Sequence, residues 1–231
     1  MEGFYTPVTR SKPTITVTSD ASKKGWGAEC NGVVTGGLWT MEESKLHINL
    51  LELKAALFAL KTFCKNTKGC SIMIRSDNST TVAHINHKGS VKTEAHKMIR
   101  ELWLWCLHND NFVVATFLPG AENDQADFQS RVDRHQFEWK LDKSVFDENM
   151  LTFGICDTDL FASRVNYQLR KYVSWTPDPY AWAVDSFTVD WGTCRGYIFP
   201  PFALILRILQ KIEQDKAQCV IVVPLWTSMV S

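Results

Sequence analysis

The sequence predicts an α/β fold over residues 14–135, followed by a partial second α/β unit. Three observations carry this reading. Apolar, β-branched runs alternate with segments of helical spacing, turn residues punctuate the junctions, and 45% of the 231 residues are hydrophobic, enough for one large or two small cores. Residues 14–19 are rich in β-branched side chains and read as the first strand. A Ser22-Lys23-Lys24-Gly25 turn leads to strands at 26–30 and 33–39, joined by Asn31-Gly32, a strong hairpin signal. Leu50, Leu51, Leu53, Ala55, Leu57, Phe58 and Leu60 supply a largely apolar helix, with Asn49 ahead of it as a cap. A strand follows at 71–75, then a helix over 76–87 that Gly89 and Ser90 end. Residues 93–108 form another helix, with Ile99, Leu102, Trp103 and Cys106 along one side. A strand at 112–118, a Pro119-Gly120 turn and a helix over 123–134 complete the unit. Residues 1–13 contain two prolines and little apolar pattern, and read as a tail.

Composition excludes several classes. Formal net charge is zero, so no global field draws the chain to nucleic acid or anionic lipid, and any such binding rests on a local patch. Seven cysteines, an odd number with no CxxC pair, lie mostly in apolar runs and read as free thiols of a reducing compartment. No segment gives eighteen consecutive apolar residues. The expectation is an intracellular protein, nuclear or cytoplasmic, without a membrane partner.

Four acids stand in separate local signatures: Asp20 in ITVTSDASKKGWGAEC, Glu52 in HINLLELKAALFAL, Asp77 in IMIRSDNSTTVAHI and Asp127 in LPGAENDQADFQSR. Asp20 and Asp77 end strand-like runs, whereas Glu52 and Asp127 lie in helical segments. Packed as layers, such elements can bring four distant carboxylates to one sheet edge, and hard oxygen ligands of this kind suit magnesium or manganese. Glu52 is the most telling, because Leu50, Leu51, Leu53 and Ala56 surround it and an unpaired carboxylate there costs several kcal/mol. Each acid alone has an ordinary reading as a turn, cap or solvated residue. The four together read as one metal site.

The element order and the stretches HINLLELKA, SDNSTTVAHIN, LPGAEN and ADFQSR resemble the type 1 RNase H domain in the version carried by DIRS-type retroelement polyproteins, over roughly residues 14–135. The resemblance implies an RNase H-like fold, a mixed five-stranded sheet flanked by helices, and hydrolysis of the RNA strand of an RNA–DNA hybrid. It implies Asp20, Glu52, Asp77 and Asp127 as catalytic metal ligands for two magnesium (or manganese) ions, with Asp20 the bridge. Asn78, beside Asp77, then donates to the substrate backbone, and Lys88 and Lys92 meet nucleic-acid phosphates. Many RNases H carry a histidine in the loop before the last acid; here that loop is Pro119-Gly120-Ala121-Glu122-Asn123, which points to slower turnover. The other expectation is an inactive retroelement relic, acting at most as a nucleic-acid-binding or scaffold module.

Residues 136–231 resemble the region that follows RNase H in those polyproteins, itself similar to phage-type DNA adenine methyltransferases. Asp159-Leu160-Phe161-Ala162 and Phe199-Pro200-Pro201-Phe202 occupy the motif positions. Phe199 offers no acceptor for a target amine and no Gly-rich loop follows Asp159, so a structural remnant packed on the nuclease is the plainer expectation. The resemblance also implies a fragment of a longer polyprotein whose reverse transcriptase domain is a partner, and a second sheet left with an open edge.

Overall fold

The structure, a computed structural model, describes residues 12–90, 93–134 and 138–225. The larger sheet contains β1 (Ile15–Ala21), β2 (Gly25–Cys30), β3 (Val33–Leu38), β4 (Ser71–Ser76) and β5 (Phe112–Phe117), in the order β3-β2-β1-β4-β5. β2 is antiparallel to β1 and β3, while β4 is parallel to β1 and β5, so the sheet is mixed. The β2–β3 hairpin closes through Asn31 and Gly32 with φ of 51° and 80°. Two successive left-handed residues are what a tight hairpin turn needs, and Asn-Gly supplies them at low steric cost.

Helices α1 (Ile48–Phe63), α2 (Ser79–Asn86), α3 (Thr93–His108) and α4 (Asp124–Arg131) flank this sheet. α1 is buried along most of its length, and its apolar side chains pack against Val17, Trp26, Ala28, Ile72 and Ile74 of the strands. Its N-terminal cap is His47, whose Nδ1 accepts the Asn49 N–H at 3.2 Å. Asn49, the expected cap, instead lies in the first turn and its side-chain carbonyl accepts from Asn78 Nδ2 at 3.1 Å. Trp103 and Trp105 pack against the core from α3.

α4 lies on the face opposite α1 and reaches the sheet through missing side chains. Asp20 pairs with Gly27 and Gly27 with Gly36, so these three positions share one face. A Cβ on Gly27 would overlap the Ala126 carbonyl and stand 2.7 Å from the Ser130 amide. Gly27→Ala is therefore expected to lift α4 and lower stability by about 2–3 kcal/mol, as overpacking does. A urea midpoint within error of the parent would show that α4 accommodates the methyl group.

The second sheet is parallel, in the order β10-β9-β6, with β6 (Thr158–Asp159), β9 (Arg195–Ile198) and β10 (Gln218–Ile221). Tyr197 and Val220 pack with Phe146 and Met150 of α5 (Lys143–Phe153), while Ile198 and Leu160 pack with Trp191 and with Ile208 of α6 (Ile205–Asp215). Both faces are thus covered, as parallel sheets require, and β10 is left as an edge. Two short strands, β7 (Val173–Ser174) and β8 (Ala183–Val184), pair with each other next to β6, at the other edge.

The chain between β6 and β8 returns to the first sheet. Arg164 ion-pairs with Glu43 at 2.7 Å, donates to the Leu38 carbonyl at 2.6 Å, and sets its guanidinium 4.7 Å from the Phe58 ring centroid. Tyr180 meets the same ring edge-on at 5.7 Å, and the Thr35 hydroxyl donates to the Pro177 carbonyl. All seven cysteines are free thiols. Among the described residues, no helix is long and apolar enough to cross a membrane.

Candidate metal centre

Asp20 comes to the site because β1 carries it, in register with Gly27, to a place where α1 and α4 both approach. Glu52 projects from the second turn of α1, and Asp77 follows the last residue of β4. Each of the three offers a carboxylate oxygen, all within 4.8 Å of one another. Asp20 and Glu52 are only 3% and 5% exposed, whereas Asp77 is more open.

Three acids this close repel, and burial compounds the effect. Burial lifts Asp20 to about 6; the Ser130 hydroxyl opposes the rise and the charges of Asp77 and Asp127 reinforce it. Burial lifts Glu52 to about 9, reinforced by Asp20 and Asp77 and opposed by the Ala21 backbone N–H. Burial also raises Asp77, with Asp127 adding to it. Asp20 Oδ2 and Glu52 Oε2 are buried without any hydrogen-bond partner. Orphaned carboxylate oxygens facing like charges are costly, and a divalent cation bound by oxygen removes both penalties at once. The donor set therefore fits magnesium or manganese.

Asp127 lies close enough for its charge to raise all three of the other acids, yet it stands outside the trio. Its Oδ1 accepts from Arg131 Nε at 2.8 Å and Nη2 at 2.6 Å, one helical turn further along α4. Asn78 sits beside Asp77 as the cap of α2: its Oδ1 accepts the Thr81 N–H while its Nδ2 is engaged by Asn49. One of the two N–H groups of the expected donor is thus engaged by Asn49. Lys88, in a left-handed conformation after α2, places its ammonium 4.7 Å from the Trp103 ring centroid. Lys92 lies outside the described residues. The loop that lacks a histidine comes against the site, since a Cβ on Gly120 would lie 3.4 Å from Asp77 Oδ2.

Asn123 belongs to the centre as well. It is 1% exposed and its Nδ2 donates to Asp20 Oδ1 at 3.1 Å, fixing one oxygen and leaving the other free. Sequence reasoning placed it at the end of the loop and the start of the last helix, as a polar residue and not as a partner of Asp20. Its one sequence signal is the spacing of four residues before Asp127, and that spacing says nothing of Asp20, 103 positions away. Asn49 and Arg131 were likewise unread as neighbours of the acids.

The first unit thus has an RNase H-like fold: a mixed five-stranded sheet flanked by helices, with acids from β1, α1 and the end of β4 converging at one edge. No family model and no curated protein matches the chain. Among solved structures it is similar to RNase H1 of the halophilic archaeon Halobacterium salinarum NRC-1, with 15% identity, 50% of this chain and 92% of that one covered, and a TM-score of 0.43. LC11-RNase H1, solved in complex with an RNA/DNA hybrid, shares 17% identity over 50% of this chain and 92% of that one, with a TM-score of 0.42. The N-terminal RNase H domain of Rv2228c from Mycobacterium tuberculosis, solved as a maltose-binding-protein fusion, shares 17% identity over 50% and 94%, with a TM-score of 0.38.

Proposed function

We propose that this chain is a metal-dependent endoribonuclease that hydrolyses the RNA strand of RNA–DNA hybrids. The observation that carries the reading is the meeting of Asp20, Glu52 and Asp77, with two buried oxygens lacking partners. Asp20, Glu52 and Asp77 hold one magnesium ion, and Asp127 contributes to a second. Ions held there would supply activation of a water and neutralisation of charge on the phosphodiester. Asn123 orients Asp20 so that its free oxygen faces the site. The Asn49–Asn78 pair borders Asp77 and offers amide groups to the sugar-phosphate backbone, and Lys88 and Lys92 contact phosphates further along.

We further propose that residues 14–135 form the nuclease domain, and that 136–231 is the segment that accompanies it in DIRS-type polyproteins, kept as a packing partner. A reverse transcriptase domain of the same polyprotein is the proposed functional neighbour.

The test is cleavage of a labelled RNA–DNA hybrid in magnesium, with double-stranded RNA, double-stranded DNA and chelator controls. Cutting is expected in the hybrid's RNA strand only. Asp77→Asn is expected to lower the rate by more than about 100-fold, since even residues standing behind metal ligands cost about 10–100-fold. A folded protein that cuts nothing would instead be an inactive relic.

A further inference from the structure

We infer that Arg131 is an internal competitor for Asp127: by holding this fourth carboxylate it makes the centre a one-ion site, and a second ion binds only when the Arg131–Asp127 pair opens. The inference rests on the metal-dependent reading above and concerns how the ions are acquired.

The geometry separates the four acids into unlike sets. Asp20, Glu52 and Asp77 present oxygens to one another and to no cationic side chain among the described contacts. Asp127 gives Oδ1 to two donors of one guanidinium, a charge-assisted contact. Both residues lie on α4, one turn apart, and α4 is clamped to β2 and β3 by Gly27 and Gly36, so Asp127 cannot be brought nearer to Asp20 by shifting the helix. What can move is the Arg131 side chain, which is 66% exposed. Its charge also acts on Asp20 and Asp77 through space.

Two effects then oppose a second ion. The pair itself must open, which costs about twofold in affinity for an exposed pair at this spacing. A fixed positive charge beside Asp127 also repels an incoming divalent cation, by several-fold at contact distances in a solvated site. The first ion, held by three acids with no cationic side chain in contact, needs no pair to open and feels the Arg131 charge only through space. Arg131 is thus a positioning residue that acts through Asp127, and the two ions bind with well-separated affinities.

Manganese titration of the full chain without nucleic acid, followed by electron paramagnetic resonance, tests this directly. The parent is expected to bind one ion tightly and a second weakly. Arg131→Gln should tighten the second constant about threefold to tenfold and leave the first within twofold, while Arg131→Lys restores part of the difference. Asp127→Asn in the Arg131→Gln background should remove the tightened site. Because Arg131 is exposed, its thermal midpoint serves as the folding control and should hardly change. A second constant that stays the same in a folded Arg131→Gln protein overturns the inference. Failure of the parent and all variants to bind even one ion overturns it together with the metal-dependent reading, and the first constant distinguishes the two.

Discussion

Glu52→Gln, in chelator at pH 8, is expected to be more stable than the parent and at the same time to lose divalent-ion binding and hybrid cleavage. The sign follows from the protons. The folded chain holds Glu52 at about 9, against 4.5 for an ordinary glutamate, chiefly by burial and then by Asp20 and Asp77. Folding therefore retains a proton that the unfolded chain releases. That stabilising difference is complete below about pH 4.5 and is lost as pH rises to about 9, at about 1.4 kcal/mol per pH unit for a single uncoupled group. Asp20, lifted to about 6, adds a shorter decline of the same sign. Glutamine cannot ionise, so about 2–4 kcal/mol of the loss at pH 8 should disappear, raising the midpoint by about 5 °C or more in a chain of this size. Magnesium should reverse the parent's trend, because ions bind the deprotonated carboxylates and stabilise only the folded state. Scanning calorimetry at pH 5, 7 and 9, with and without magnesium, reads all of this. A parent whose chelated midpoint is flat across that range would contradict it.

Arg164→Ala should produce the largest loss of stability outside the core. The guanidinium is 9% exposed, serves Glu43 and the Leu38 carbonyl together, and covers Phe58. Removing one partner of a buried pair strands the other, typically at about 3–5 kcal/mol. Here Lys54, 2.7 Å from Glu43, keeps part of the compensation, so about 3 kcal/mol is expected, or about 6–12 °C in the thermal midpoint. Lysine should not rescue, since a point charge cannot pair with Glu43, donate to Leu38 and stack on Phe58 at once. A denaturation midpoint equivalent to less than about 1 kcal/mol of loss would mean that the two sheets are held together elsewhere.

What the sequence disclosed and what it hid divide by range. The order of the first nine elements was legible because each announces itself locally: β-branched residues in β1, Asn31-Gly32 at the hairpin, an unbroken apolar face in α1. The acids were legible because a carboxylate such as Glu52 among leucines is an anomaly in any window. The cap of α1 was misplaced by two residues, because a histidine that accepts through Nδ1 carries no strong capping signal whereas Asn49 does. Asp127 and Arg131 stand at an i, i+4 spacing common in any helix, and only the position of the pair beside three other acids gives it meaning. Arg164, Tyr180 and Asn123 act across the fold, where periodicity is silent. The segment between β6 and β8 reads as irregular because its strands are two residues long and its packing rests on single side chains.

The Arg164 clasp also sets a schedule for synthesis. Leu38 precedes Arg164 by 126 positions and Thr35 precedes Pro177 by 142. At about 5–20 residues per second on the ribosome, roughly 6–30 seconds separate the emergence of the first sheet from that of the residues that cover it. During that interval Phe58 and the Glu43 carboxylate lack their lid, and the nascent chain carries an uncovered aromatic patch. A translating cell must keep that patch from sticking to its neighbours, so the yield of folded protein becomes a matter of elongation rate and chaperone occupancy as well as of sequence.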